Sequence, residues 1–253
     1  NTLSLHDALP ICVLPFGLDR SAMRGRVARL DGTLDQILTR HRYPPPVAAL
    51  VAEAVVLTAL IGQAIKLRWR FSLQVRGEGA VRLIATDYFA PAEEGGKARI
   101  RAYAGFDRGD VVSSRVAPFE LLGNGYLGVI IDQGPGMSPY QGMTPLSGAC
   151  LADCAETYFA QSEQLATRFS IAAAEATEPG TEPAWRAGGV MLQQMPSEGG
   201  IAPPDAPSGE DGLMTAGDVA AMGDREEDWT RVNTLLDTVE THKLIAPHVA
   251  MET

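Results

Sequence analysis

Two hydrophobic rhythms run along the chain. A stiff Tyr43-Pro44-Pro45-Pro46 lead-in, whose last proline suits the first turn of a helix, opens onto VAALVAEAVVLTALIGQAIKL at residues 47–67. Apolar side chains there are too dense to leave a polar stripe, so the segment predicts a long buried helix rather than a surface one. Glu53, Thr58 and Gln63 interrupt the run, which therefore falls short of a clean membrane span. Beyond it the period changes to two. Residues 69–76, a turn at Gly77-Glu78-Gly79 and residues 80–85 predict a hairpin. A third strand, 98–104, sets Ile100, Ala102 and Ala104 on one side and Arg99, Arg101 and Tyr103 on the other, so one sheet face is arginine-rich and wet. Further strands are expected at 125–132, 167–174 and 187–195, and a helix at 146–162. The fold class is α+β: a mixed or antiparallel sheet packed with a long buried helix and closed by C-terminal helices.

Periodicity then lapses. Residues 196–224 are rich in Gly, Pro and acids, which predicts a flexible acidic loop. From 225 to 240 it returns, with Trp229, Val232, Leu235, Leu236 and Val239 on one side of a helix. The chain thus divides into a core at 13–195, the loop at 196–224 and a helical segment at 225–249 that closes the core. Residues 1–12, NTLSLHDALPIC, have neither an initiator Met nor a charged n-region. They read like a translated sequencing adapter and are expected to be non-native, Cys12 included.

Composition fits a globular protein, with 45% hydrophobic and 21% charged residues. The formal charge of −10 is uneven: 15 of the 31 acids but only 4 of the 21 bases lie from Glu175 onward. That balance argues against a partner held by a broad basic surface, and makes nucleic acid an unfavoured partner. The local exception is a run of six arginines from Arg20 to Arg42, against only Asp31 and Asp35. It supports either a solvated surface or, as the competing reading, a nucleic-acid or small-ligand binding module. Three cysteines are too few for a disulfide scaffold and suit the cytoplasm. Cys150 and Cys154 stand one turn apart on the expected helix, where Cβ atoms lie about 5–6 Å apart, whereas a disulfide needs about 3.5–4.5 Å. They read as half-buried fillers, with a redox or metal role as the alternative.

Catalytic patterns are weak. Gly123-Asn124-Gly125-Tyr126-Leu127-Gly128 matches the dinucleotide glycine pattern, but Val129-Ile130-Ile131 follows as a strand where a helix is required. There is no nucleophile elbow, no Walker-type loop and no carboxylate pair in an apolar setting. Ser162 and Glu163 read as helix-end hydrogen-bonding groups rather than nucleophile and base. Glu53 is the one candidate for a perturbed carboxylate, though a partner from the arginine-rich stretch would account for it equally well. No enzyme, metal site or cofactor is expected in these residues.

Four segments carry a resemblance: LDRSAMRGRVARL at 18–30, YPPPVAALVAEAVVL, GYLGVIIDQ followed by PYQGMTPL, and YFAQSEQLATRF at 158–169. Most specific is the string Tyr158, Phe159, Ser162, Glu163, Gln164 and Thr167, which ends a helix and opens a strand. Over residues 13–249 the chain resembles the N-terminal domain of the heat shock protein 33 family, whose motif residues here take a structural role. The resemblance implies an ATP-independent holdase chaperone of oxidative and heat stress, with unfolding client proteins as partners; a homodimer is compatible with it. It also implies a tail that binds zinc through Cys-x-Cys and Cys-x-x-Cys thiolates and is switched by their oxidation. Neither motif occurs in these 253 residues, so no zinc ligand carries over, and a holdase body without its switch or an inactive gene fragment are both expected readings. The client-binding surface is expected on the sheet side opposite the arginines, with the helix bearing Trp229, Val232, Leu235, Leu236 and Val239 as its cover.

Overall fold

Twenty near-continuously apolar residues form α2 (Pro45–Ala64), and a sheet packs against each of its two sides. The computed structural model describes residues 9–10, 12–18, 22–93, 95–177, 182–195 and 216–246. Ahead of α2 come β1 (Leu9–Pro10), β2 (Cys12–Leu18), β3 (Met23–Arg29) and α1 (Gly32–His41). After it follow β4 (Arg70–Gly77), β5 (Val81–Phe89), β6 (Arg99–Phe106), α3 (Arg108–Ser113), β7 (Gly125–Asp132), β8 (Tyr140–Pro145) and α4 (Leu151–Tyr158). The chain continues through β9 (Thr167–Ala176), β10 (Ala184–Gln194), α5 (Ala216–Asp237) and α6 (Thr241–Ile245). One sheet has six strands in the order β1-β6-β5-β4-β7-β8, the other four in the order β2-β3-β10-β9, and every pairing is antiparallel.

The helix lies between the sheets because no part of its surface is polar enough for water. By length and composition α2 would cross a bilayer, yet most of it is buried inside the protein. Its few polar groups find partners there. Thr58 shares a hydrogen bond with Thr86 of β5, and Gln63 accepts one from the Tyr88 hydroxyl at 2.6 Å. Arg26 of β3 donates to the carbonyls of Gln63 and Ala64 at 3.2 and 3.4 Å, so a guanidinium covers the negative end of the helix dipole. Glycines allow the close approach on both sides. A Cβ on Gly62 would stand 2.5 Å from Tyr88 Cγ, and one on Gly189 of β10 would stand 2.7 Å from Val56 Cγ1.

The α+β class holds, with two antiparallel sheets where the sequence reading had one. The wet arginine face and the Ile100, Ala102 and Ala104 face fall as expected, but α2 itself covers the latter. Much of the arginine-rich stretch becomes β3 and α1, because alternation in MRGRVAR turns Arg26 inward to cap α2 while Arg29 pairs with Asp31. Gly123, at φ +63°, turns the chain from a 3-10 segment (Pro118–Leu122) into β7, which is the turn-before-strand reading of the glycine pattern. In the N-terminal segment, Leu9 and Pro10 pair with Ile100 and Arg99 of β6, and Cys12 pairs with Arg29 of β3. Of the expected loop, 196–215 lies outside the described residues, while α5 already begins at Ala216.

Replacing a helical glycine by alanine normally stabilises a helix by about 1 kcal/mol. At Gly62 overpacking against the buried Tyr88 ring outweighs that gain, and Gly62→Ala is expected to lower stability by about 1–3 kcal/mol in urea unfolding. Unchanged or raised stability would show that the α2–β5 contact is looser than described.

Candidate functional site

Strand register sorts the four-stranded sheet into two faces. Ala28, Met191 and Phe169 point toward α2 and are buried. The opposite face carries Leu14, Phe16 and Leu18 on β2, then Val27 on β3, Val190 and Leu192 on β10, and Ser170 on β9. This outer face is covered on one half only. α6 lies against β9 and β10 so closely that a Cβ on Gly188 would run into the Leu244 carbonyl oxygen. α5 approaches β9, where Arg168 pairs with Asp237 at 2.9 Å and with Glu156 at 3.5 Å. Toward β2 the cover ends: Leu14 is 64% exposed, and Phe16, Leu18 and Val27 are also open to solvent. Phe16 lies flat on the sheet, its ring over Gly25. Natural edge strands are usually blunted by charge; β2 instead presents three alternating apolar side chains.

The structure brings the expected helical stripe to this second sheet, and the arginine-bearing sheet is not its partner. The physical reason is that α2 already occupies the apolar side of the six-stranded sheet. Within the stripe, Leu236 is buried at 5% exposure while Leu235 is 59% exposed; Trp229, Val232 and Val239 are half-buried. The motif string serves as the joint from α4 to β9. Tyr158 and Phe159 are buried, and the Tyr158 hydroxyl donates to Glu163 at 2.9 Å. A π turn (Phe159–Glu163) closes through Leu165 N–H to the Phe159 carbonyl, with Gln164 left-handed at φ 53°. Ser162 is exposed on that turn, and Thr167 receives a hydrogen bond from Gln193 at 3.2 Å.

A second feature borders α4. A cavity of about 460 Å³ is lined by Glu53, Cys150, Asp153, Glu156, Arg168 and Phe119 among others. Glu53 has no arginine partner here. It accepts from the Ala152 N–H at 2.9 Å and so caps the N-terminus of α4, because α2 carries it there and the arginines of β3 lie at the other end of that helix. Burial pushes its carboxyl up to about 7, against the pull of the α4 backbone N–H groups. Cys150 is the N-cap residue of α4 and Cys154 lies inside it, its Sγ donating to the Ser147 carbonyl at 3.1 Å. Both are free thiols. Burial, with the Glu53 charge next, pushes Cys150 up to about 12, and burial also raises Cys154, so both stay protonated and weakly nucleophilic.

The family model described as Hsp33 protein matches residues 12–251. The chain belongs to the Hsp33 family. It is 39% identical over 246 residues to the 33 kDa chaperonin of Caulobacter vibrioides, covering 95% of this chain and 72% of that protein. With the 33 kDa chaperonin of Pseudomonas paraeruginosa it shares 31% over 231 residues, covering 91% of this chain and 66% of that one. The crystal structure of the Thermotoga maritima 33 kDa chaperonin superposes with a TM-score of 0.59 at 21% identity, covering 72% of this chain and 60% of the other. Among the described residues no three His, Cys, Asp or Glu side chains converge on one point, so no step below runs through a metal.

Glu53 predicts a pH dependence with a definite sign. Its carboxyl titrates near 7 when folded and near 4.5 when unfolded. The folded state therefore holds the proton more tightly, and the stability this group contributes is complete below 4.5 and lost as pH rises through 7. Glu53→Gln should remove up to about 3 kcal/mol of that decline. Urea unfolding of both proteins between these limits checks it; parallel pH curves would sink the assignment.

Proposed function

We propose that this chain is an ATP-independent holdase that captures unfolding proteins on the outer face of its four-stranded sheet, with α5 and α6 as a removable cover. The observation that carries the reading is the half-covered face itself. Apolar side chains at Leu14, Phe16, Leu18 and Val27 stand open, and the same face continues under α6 at Gly188 and Ala172 and on to the buried Leu192. An open apolar sheet face beside an edge strand that has no second partner among the described residues suits extended, sequence-diverse segments, which add as a strand and bury alternate side chains. Names of the relatives, each a 33 kDa chaperonin, support the same class. No nucleotide loop occurs in the sequence, and capture by burial of apolar surface needs none.

The cover is thinly held. Leu236 is the one buried member of the helical stripe, and the Arg168–Asp237 pair is exposed, where ion pairs contribute little. Heat or oxidative stress acts, in this reading, by loosening that cover. Cys150 and Cys154 take no part in the switch, since their raised pKa keeps them unreactive. The cytoplasm, where thiols stay reduced, is the compartment proposed.

Leu236→Ser removes about 2–3 kcal/mol of apolar burial and should raise both dye-detected apolar surface and suppression of client aggregation, shifting the cover about tenfold or more toward open. Leu235→Ser, at an exposed site, should stay within about 0.5 kcal/mol of the parent and change neither. Gly188→Ala should act as Leu236→Ser does, by lifting α6 off β10. Equal effects of the two leucine variants, or loss of folding without gain of capture in both Leu236→Ser and Gly188→Ala, would refute the cover.

A further inference from the structure

The six-stranded sheet also has an outer face, and register maps it residue by residue. One row across the strands reads Tyr103, Ala85, Gln74, Gly128, Met143 from β6 to β8. The row beside it reads Gly105, Leu83, Arg76, Tyr126, Pro145, and the row on the other side begins Arg101, Asp87, Ser72. Ala85, Gly105 and Gly128 are the small members of these rows, and two tyrosines stand among them, 47% exposed at Tyr103 and 41% at Tyr126. The Tyr103 ring runs along its own strand beside Gly105, where a Cβ would sit 3.7 Å from its Cε1. Strand spacing puts the two tyrosines about 14 Å apart across the sheet.

Charge on this face opposes the charge of the chain. Four guanidinium groups, Arg70, Arg76, Arg99 and Arg101, share it with two carboxylates, Asp87 and Asp132, while the whole chain carries −10. Asp87 and Asp132 are engaged with Arg101 at 2.7 Å and Arg70 at 3.3 Å. Arg76 is exposed and stands directly across from Tyr126. An antiparallel sheet face that offers exposed aromatic rings, glycines near them and a local excess of arginine suits a polyanion with planar, stackable groups.

We propose that the outer face of the six-stranded sheet binds single-stranded nucleic acid without sequence preference, Tyr103 and Tyr126 stacking on bases and Arg76 meeting the phosphate backbone. Base stacking is sequence-tolerant because every base has a π face, and duplex would hide those faces. The site is independent of the client face, which lies on the other sheet with α2 between them, so either proposal stands without the other. It also differs from the Arg20 to Arg42 stretch, part of which is spent on α2 and Asp31.

The test is fluorescence anisotropy of a short fluorescein-labelled oligouridylate with the full chain over a series of KCl concentrations. Binding is expected at low salt and should weaken as salt rises. Tyr103→Ala with Tyr126→Ala should lose about tenfold or more in affinity at an unchanged salt slope, and Tyr103→Phe with Tyr126→Phe should retain binding because the rings remain. Arg76→Gln should flatten the slope by about 0.7. Absence of binding at the lowest salt, an alanine pair that binds like the parent, or a phenylalanine pair that does not bind would each overturn the proposal. So would equal affinity for a duplex of the same length, or displacement by polyglutamate as effective as by oligocytidylate, which would reassign the face to general attraction of anions.

Discussion

A helix that is apolar on all sides cannot be covered by one sheet, and this protein is built around that constraint. α2 buries its side chains from Val47 to Ile61 against the inner faces of both sheets, so each sheet spends one face on the helix. Two outer faces are left over. Close approach at Gly62 and Gly189 and the caps at the two ends, Arg26 on α2 and Glu53 on α4, fix the helix in register with its neighbours.

The two outer faces have opposite character. On the four-stranded sheet it is apolar and partly roofed by α5 and α6; on the six-stranded sheet it is arginine-bearing and carries exposed tyrosines. A holdase needs the first to become accessible while the remainder of the surface keeps the client complex in solution. In the proposed reading α5 and α6 detach readily: among the described side chains of α5 only Leu236 is buried, so its dissociation would expose sheet at small cost to the core.

Much of this was legible in the sequence where periodicity was strong. The dense run at 47–67 announced a buried helix, and the alternation at 69–76 and 98–104 announced strands whose inward and outward sides fall as read. The string Tyr158, Phe159, Ser162, Glu163, Gln164 and Thr167 announced the family, which the match over 12–251 shows. Charge hid the rest. MRGRVAR reads as a basic surface because its arginines are conspicuous, yet Met23 and Val27 on one side and Ala28 on the other place it in a sheet, and the Arg26 guanidinium reaches helix carbonyls that no pattern announces. Likewise Glu53 reads either as a perturbed carboxylate or as half of an ion pair, and its partner is a backbone N–H on α4, invisible to any count of charges. Leu14, Phe16 and Leu18 alternate clearly in CVLPFGL, and were passed over because the residues just before them read as non-native.

The central claim is that α5 and α6 form a cover separable from the α2-centred body, and native-state hydrogen exchange tests it most directly. Amides of α5 and α6 should exchange through an opening far cheaper than global unfolding, while those of α2 and β10 exchange only with the whole molecule. Exchange of α5 and α6 at the global rate, in step with α2, would contradict the account.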